Sequence, residues 1–380
     1  MRLLVLGDFV PTRRLAGLAT TDPTELFGEF AKTIRDADLA MLNLEAPLCE
    51  PRQGIEKTGP NLHGNPESAT FLAKAGFRLA TLANNHILDY DEHGLESTMA
   101  ALDQVGVRYV GAGKNHEQAQ RPYFSNSEGA KVAILNFAEN EWSTTHGRSA
   151  GACPIDPVRN YQAIRSAGQC ADHVIVICHG GHEMHNLPSP RMKQLYRFYV
   201  DAGASAVVNH HTHCMSGFEV YEGAPIFYSL GNFLFDSFDI RSGDWTKGMA
   251  VELICSDDSV SYKIHFFDQC VDDTLFRLCD SAARTERFGY LDTLNRIIND
   301  DELLEDSFRS YSKSQAKRYL RYLEPIRSRL LFAAQNRGLA PSLLTRAHMK
   351  LLLNVIRCEA HRDLTIELLE HEVGSNRESE

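Results

Sequence analysis

The sequence predicts a mixed α/β (α+β) protein: a covered sheet system to about residue 270, then a helical extension over 271–380. Three observations predict it. Short apolar runs alternate with amphipathic stretches through the first 230 residues. Polar side chains gather where six of those runs end. After Asp236 the pattern changes to two hairpin-like runs and then to helical spacing.

The runs Leu3–Leu6, Leu39–Leu44, Leu79–Leu82, Val107–Val110, Val132–Phe137, Val174–Cys178, Ala206–Val208 and Ile226–Leu230 read as strands. Continuous Val/Ile/Leu runs of this length suit strands buried on both faces. Helical patterns lie between them, near 25–36, 67–75, 93–105, 157–168 and 190–202, as expected of βαβ units. Met249–Ile254 and Val260–Phe267 read as antiparallel strands, and from about 272 onward the spacing is helical. In 316–335 the residues Leu320, Leu323, Ile326 and Leu330 recur at helical spacing. Such an apolar face needs a partner surface, on the catalytic domain or on a second copy in a homo-oligomer.

Composition excludes several classes. A net charge of −11 lacks the basic footprint of a nucleic-acid binder or a polybasic membrane-surface protein. No apolar run approaches the ~20 residues of a membrane span. Met1 leads directly into Arg2-Leu3-Leu4-Val5-Leu6, too short for a signal-peptide core, so the expected location is the cytoplasm. Nine scattered cysteines, none at CxxC spacing, read as small buried hydrophobes of a reducing compartment.

The informative feature is positional. Asp8, then Asn43 and Glu45, then Asn84, Asn85 and His86, then His179, then His210, His211 and His213, then Asn232 and Asp236 each follow a predicted strand. The carboxyl ends of strands in an open α/β sheet line the ligand crevice. Asp, Glu, Asn and His are the ligands of Mn²⁺, Fe or Zn²⁺, and no thiolate set competes with them. A lone His or Asn at a strand end is more often a turn residue than a ligand; six ends delivering such groups point instead to a centre for one or two divalent ions. Three tempting fragments fail. Position 186 is Asn, so His182-Glu183 does not open a HExxH motif; Gly111-Ala112-Gly113-Lys114-Asn115 lacks the P-loop framing; and no G-x-S-x-G occurs.

These residues carry a specific resemblance. Leu6-Gly7-Asp8, Asn43-Leu44-Glu45, Ala83-Asn84-Asn85-His86-Ile87-Leu88-Asp89, Gly111-Ala112-Gly113, His179-Gly180-Gly181-His182-Glu183, His210-His211-Thr212-His213 and Gly217 through Asp236 resemble, in order, the motifs of the CapA family of capsule and poly-gamma-glutamate biosynthesis proteins. That family resembles calcineurin-like metallophosphoesterases, which implies a four-layer β-sandwich flanked by helices. The resemblance implies Asp8 and His213 on a first metal, Glu45 as the bridge, and Asn85, His179 and His211 on a second. It also implies His86 as the group assisting the leaving group, with Asp89 orienting it, and Arg13 facing an anionic substrate, a phosphoester or a polyglutamate-like polymer. The chain departs from the pattern at four positions. Val10 stands where the phosphoesterase Asp-x-His signature has its His, Asn209 replaces a Gly, Thr212 a Pro, and Gly180 a Trp. The expected function is a metal-dependent hydrolase; the rival is a non-catalytic assembly subunit of a surface-polymer system.

Overall fold

Alternate residues of the first strand face opposite ways, and both sets are apolar. In the computed structural model, which describes residues 1–375 apart from 128–129, 146, 238–239, 258, 325–327, 338 and 342, this pattern builds two sheets packed face to face. The first contains β1 (Arg2–Val10), β2 (Leu39–Leu44), β3 (Leu79–Thr81), β4 (Arg108–Val110), β13 (Asn232–Phe235), β14 (Lys247–Cys255), β15 (Val260–Val271) and β16 (Thr274–Leu278), in the order β16-β15-β14-β1-β2-β3-β4. Strands β1 to β4 are parallel, and β14 to β16 continue antiparallel. Strand β14 lines Arg2–Val5 of β1, and β13 pairs parallel with Asp8–Val10. The second sheet holds β6 (Tyr123–Ser127), β7 (Ala130–Ala138), β9 (His173–His179), β10 (Ala206–His210), β11 (Phe218–Tyr221) and β12 (Ala224–Phe227), in the order β11-β12-β10-β9-β7-β6. A two-stranded ribbon joins β5 (Ala112–Gly113) to β8 (Gly151–Ala152).

The core has three parts, and they define the layers. Leu3, Val5, Leu39 and Met41 meet Ile134, Ile175, Ile177 and Val208 between the sheets. On the outside of the first sheet, Leu4, Leu6, Ala40 and Leu42 pack on Phe30, Ile34, Phe71, Leu72 and Leu102 of its helices. On the outside of the second, Leu135, Val174, Val176 and Val207 pack on Ile164, Tyr196 and Tyr199. The result is the expected helix–sheet–sheet–helix sandwich. The expected helices are found as Pro23–Phe27 with Phe30–Asp36, Ser68–Ala75, Asp91–Gln104, Pro157–Gly168 and Pro190–Asp201. All nine cysteines are free, and seven of them are buried. Among the described residues no helix is long and apolar enough to cross a membrane.

The structure corrects the sequence reading in three places. The run Ile226–Leu230 is not one strand: β12 ends at Phe227, Gly231 takes φ +71°, and the chain re-enters as β13 in the other sheet. Glycine adopts that conformation at little steric cost. Residues 272 onward are not all helical, because Asp272 takes φ +43° and Thr274–Leu278 folds back on β15 as an edge strand. The stretch 316–335 is not one helix. One helix ends at Tyr322 and the next starts at Arg329, with Ile326 outside the described residues. Pro325 accounts for the break, since proline disfavours helix in the residue before it.

Two compact units result, Met1–Asp306 and Ser307–Glu380. Residue 270, where a boundary was expected, falls inside β15. The helix Ser281–Asn299 belongs to the first unit and buries Leu291, Leu294 and Ile298 in its core. It sits on Gly217, where a Cβ would meet Leu294, Asn295 and Ile298 within 3.0 Å. The second unit consists of helices, including Arg346–Arg357 and Glu359–Ser375. Leu294→Ala should therefore destabilise the protein by about 2–5 kcal/mol, as buried Leu-to-Ala changes do. Denaturant unfolding checks this, and an unchanged midpoint would remove that helix from the core. A chain ending at 270 should unfold far more readily than one ending at Asp306.

Candidate metal centre

The C-terminal parts of β1, β2, β9 and β10 converge where the two sheets meet, and they carry buried polar residues: Asp8 within β1, Glu45 just after β2, His179 ending β9 and His210 ending β10. Gly7 makes the approach possible, because a Cβ there would lie 1.9 Å from the Gly231 carbonyl oxygen. The β1 register shifts at this point, and Asp8 comes to pair with Asn232. Asp8, Glu45, His179, His211 and His213 are all at most 6% exposed.

Two triads of ligating atoms share one carboxylate. Glu45, His179 and His211 form one, Asp8, Glu45 and His213 the other, and within each the atoms lie within 4.8 Å of one another. His179 Nε2 is 3.3 Å from Glu45 Oε1 and 3.0 Å from Asn85 Oδ1. His211 Nδ1 is 3.1 Å from His179 Nε2. His213 Nδ1 is 3.4 Å from Asp8 Oδ2 and 3.8 Å from Glu45 Oε2. Neither oxygen of Glu45 has a hydrogen-bond partner, although the side chain is fully buried. A buried carboxylate without donors is costly; a divalent cation is the partner that this set of carboxylate, imidazole and amide oxygen suits. The residues present therefore fit a metal.

The electrostatics agree. Burial raises the Glu45 carboxyl well above its ordinary value, and the Asp8 charge adds to the effect. Burial also pushes Asp8 upward, but the bond from His213 and the His210 and His179 rings outweigh it and hold Asp8 well below the usual range. His179 lies well below the usual imidazole value, through burial and then its neighbour His211. His211 is lowered by burial and by His213. Both imidazoles thus stay neutral, the form that ligates. His211 and His213 hold φ of +91° and +55°, a left-handed backbone that non-glycine residues keep only when their surroundings impose it.

His86 stands beside this cluster and is 7% exposed. Its Nδ1 lies 2.6 Å from Asp89 Oδ2, and burial lowers its pKa despite that carboxylate. Arg13 is exposed, at the start of the turn Arg13–Leu15 that follows β1. Its neighbour Arg14 is committed to Asp236, with Nη2 2.7 Å from Oδ1. Two of the four departures from the family pattern, Asn209 and Gly180, have local explanations. Asn209 Nδ2 donates to the carbonyls of Gly180, His210 and Tyr228, and its Oδ1 accepts from the Tyr196 hydroxyl, so it fastens three segments at the site. Gly180 leaves room for Glu139, whose side chain any Cβ would meet at 2.6 Å.

Several residues escaped the sequence reading. Asn43 Nδ2 donates to Asp8 Oδ1 at 2.7 Å, and Asn232 Oδ1 meets His213 Nδ1 at 3.0 Å; both stood at strand ends without being assigned a role. Glu141 approaches Asn85 Nδ2 at 3.4 Å and His211 Nε2 at 3.9 Å. It follows β7, so the strand-end rule would have found it. Lys57, which touches both His86 and Asp89, comes from a loop and carries no such signal.

Comparison with known proteins identifies a family. Residues 2–237 match the family model described as bacterial capsule synthesis protein PGA_cap. The chain is 32% identical over 254 residues to the capsule biosynthesis protein CapA of Bacillus anthracis, covering 64% of this chain and 62% of that one. It is 31% identical over 245 residues to the PGA biosynthesis protein CapA of Bacillus subtilis, covering 63% and 64%. It thus spans less than two thirds of the length of these relatives. A hypothetical protein from Thermus thermophilus superposes with a TM-score of 0.45 at 17% identity, over 70% of this chain and 99% of that one. With a match that runs from the first residue of β1 to just past β13, the chain belongs to the family of bacterial capsule synthesis proteins.

Proposed function

We propose that this chain is a metal-dependent hydrolase of phosphoester type, acting in capsule or poly-gamma-glutamate metabolism. Asp8, Glu45 and His213 would hold one divalent ion, and Glu45, Asn85, His179 and His211 a second. The observation that carries the reading is Glu45, a fully buried carboxylate with no hydrogen-bond partner, common to both triads. When bound, such ions supply Lewis acidity, polarising a phosphoryl oxygen and bringing the acidity of water toward neutral pH.

The chain's own residues supply the rest. Asp89 fixes the His86 ring through Nδ1, which leaves Nε2 to carry a proton to the departing oxygen. Arg13, exposed after β1, offers a guanidinium to an anionic substrate. The buried ring of His179 and the strand-end positions of Asp8 and Glu45 hold the ligands rigid. A second reading, an assembly subunit without turnover, is favoured by one observation. Val10, buried and paired with Phe235, stands where the phosphoesterase signature has a His.

Replacing His211 and His213 together with Ala should abolish metal binding and leave the fold intact, as read by metal analysis and circular dichroism. Glu45→Gln should weaken binding by at least about 10²-fold. Unchanged metal content in either variant would end the assignment.

Metal binding should release a proton, mainly from Glu45. In the metal-free protein its raised pKa keeps the carboxyl protonated above the ordinary carboxylate range, so affinity should climb with pH there. His179 and His211, with lowered values, should compete with metal only below the usual imidazole range. Calorimetry in buffers of different ionisation enthalpy reads the released proton, and pH-independent affinity would contradict the assignment.

His86→Ala should lower kcat by about 10²–10⁴-fold on a phosphoester with a poor leaving group, and much less on a nitrophenyl ester. Metal content should hold. Because its pKa is lowered, the activity that depends on protonated His86 should decline with rising pH earlier than for an ordinary histidine. Equal losses on both substrates would remove His86 from the acid role. Absence of turnover in metal-loaded wild type, over several phosphoesters, would favour the assembly subunit.

A further inference from the structure

Lys57 is an unexpected residue to find beside His86. Its side chain is 2% exposed, and its partner Asp89 is fully buried. A buried ammonium must be compensated, because removing it from water is strongly unfavourable. Lys57 Nζ contacts Asp89 Oδ1 and also lies 3.1 Å from His86 Nδ1. Asp89 Oδ2 meanwhile accepts from His86 Nδ1 at 2.6 Å and from the Leu62 amide at 2.6 Å. Each carboxylate oxygen is therefore occupied, one by Lys57 and the other by the histidine and the loop. The segment carrying Lys57 is fastened to the same residue by the Ile55 amide, which donates to the Asp89 carbonyl at 3.0 Å. It is fastened to the rim by Thr58 Oγ1, which accepts from the Trp142 indole at 3.3 Å.

We propose that Lys57 is a positioning residue for the reaction: it clamps the Asp89 carboxylate so that the His86 ring is held with Nδ1–H on Asp89 and Nε2 toward the metal centre. This rests on the hydrolase reading for its consequence in turnover, but not for its geometry. With Nδ1–H on Asp89, the ammonium makes no hydrogen bond to the ring, and the clamp acts through the carboxylate alone. Without the ammonium, Oδ1 is a buried acceptor with no partner, and the carboxylate turns away from the ring to find one. Arginine keeps the charge and can reach the same oxygen; methionine fills the space without the clamp.

The test uses the full chain loaded with Mn²⁺ for kinetics and the metal-free chain for spectroscopy. Lys57→Met should lower kcat on the poor-leaving-group phosphoester by about ten-fold or more, a part of the whole general-acid contribution. KM and metal content should stay unchanged, and the nitrophenyl ester should lose little. In a His86→Ala background the same substitution should cost nothing further, and Lys57→Arg should restore most of the rate. Independently of activity, a solvent-protected imidazole N–H proton should appear far downfield in the wild-type spectrum. It should vanish in His86→Gln, be lost or shifted in Lys57→Met, and return in Lys57→Arg. An unmoved resonance in Lys57→Met, or an equal loss of rate with and without His86, would overturn the proposal. Wild-type protein that hydrolyses no phosphoester would sink the hydrolase reading, while the resonance would still decide the role of Lys57.

Discussion

Glu45 is the buried side chain around which this site is arranged. A carboxylate with no exposed surface and no donors opposes folding, and burial with the Asp8 charge resists its ionisation. Left-handed backbone at His211 and His213 adds a cost of about 1–3 kcal/mol each. A fold tolerates such a concentration of unfavourable terms only where the surroundings over-determine the geometry. Here the surroundings are strand ends. Asp8 lies in β1 and Glu45 directly follows β2, two parallel strands locked edge to edge, while His179 and His210 sit opposite each other in the register of β9 and β10. Asn209 ties three carbonyls together beneath them, and a glycine at position 7 lets β13 close against β1.

Much of this was legible in the sequence because it depends on short-range patterns. A strand buried on both faces must be a continuous apolar run, so β1, β2, β7 and β9 announced themselves. The polar residue ending each run had to sit at the crevice. Edges were less legible. Tyr123–Ser127 alternates half-buried and exposed residues, and Thr274–Leu278 buries only Phe276, so neither carries an apolar run to find. The break at Gly231 was hidden for another reason. Leu230 before it and Phe233 and Leu234 after it are buried and apolar, and only the backbone shows that β12 and β13 belong to different sheets.

The site divides along the same line. Asp8, Glu45, His179, His211 and His213 come from the strand ends or the turns immediately after them, and position along the chain predicts them. Lys57 comes from the irregular segment between β2 and the helix Ser68–Ala75, and reaches Asp89 only because that segment folds over it.

The family match ends at residue 237, yet the site does not. Asn232, whose Oδ1 faces His213, donates through Nδ2 to the Trp245 carbonyl at 3.1 Å. Gln269 on β15 donates to that same carbonyl at 2.9 Å and accepts from the Phe235 amide at 2.9 Å. The Trp245 ring lies 5.0 Å from the His213 ring and 4.8 Å from Phe235. Strand β14 then continues from this point along β1, with the Met249 amide bound to the Leu230 carbonyl at 2.9 Å. The segment from Trp245 to β15 therefore forms the back wall of His213 and holds the first strand in register. Residues beyond the matched span are part of what places the His213 imidazole, and with it one side of the Glu45 carboxylate.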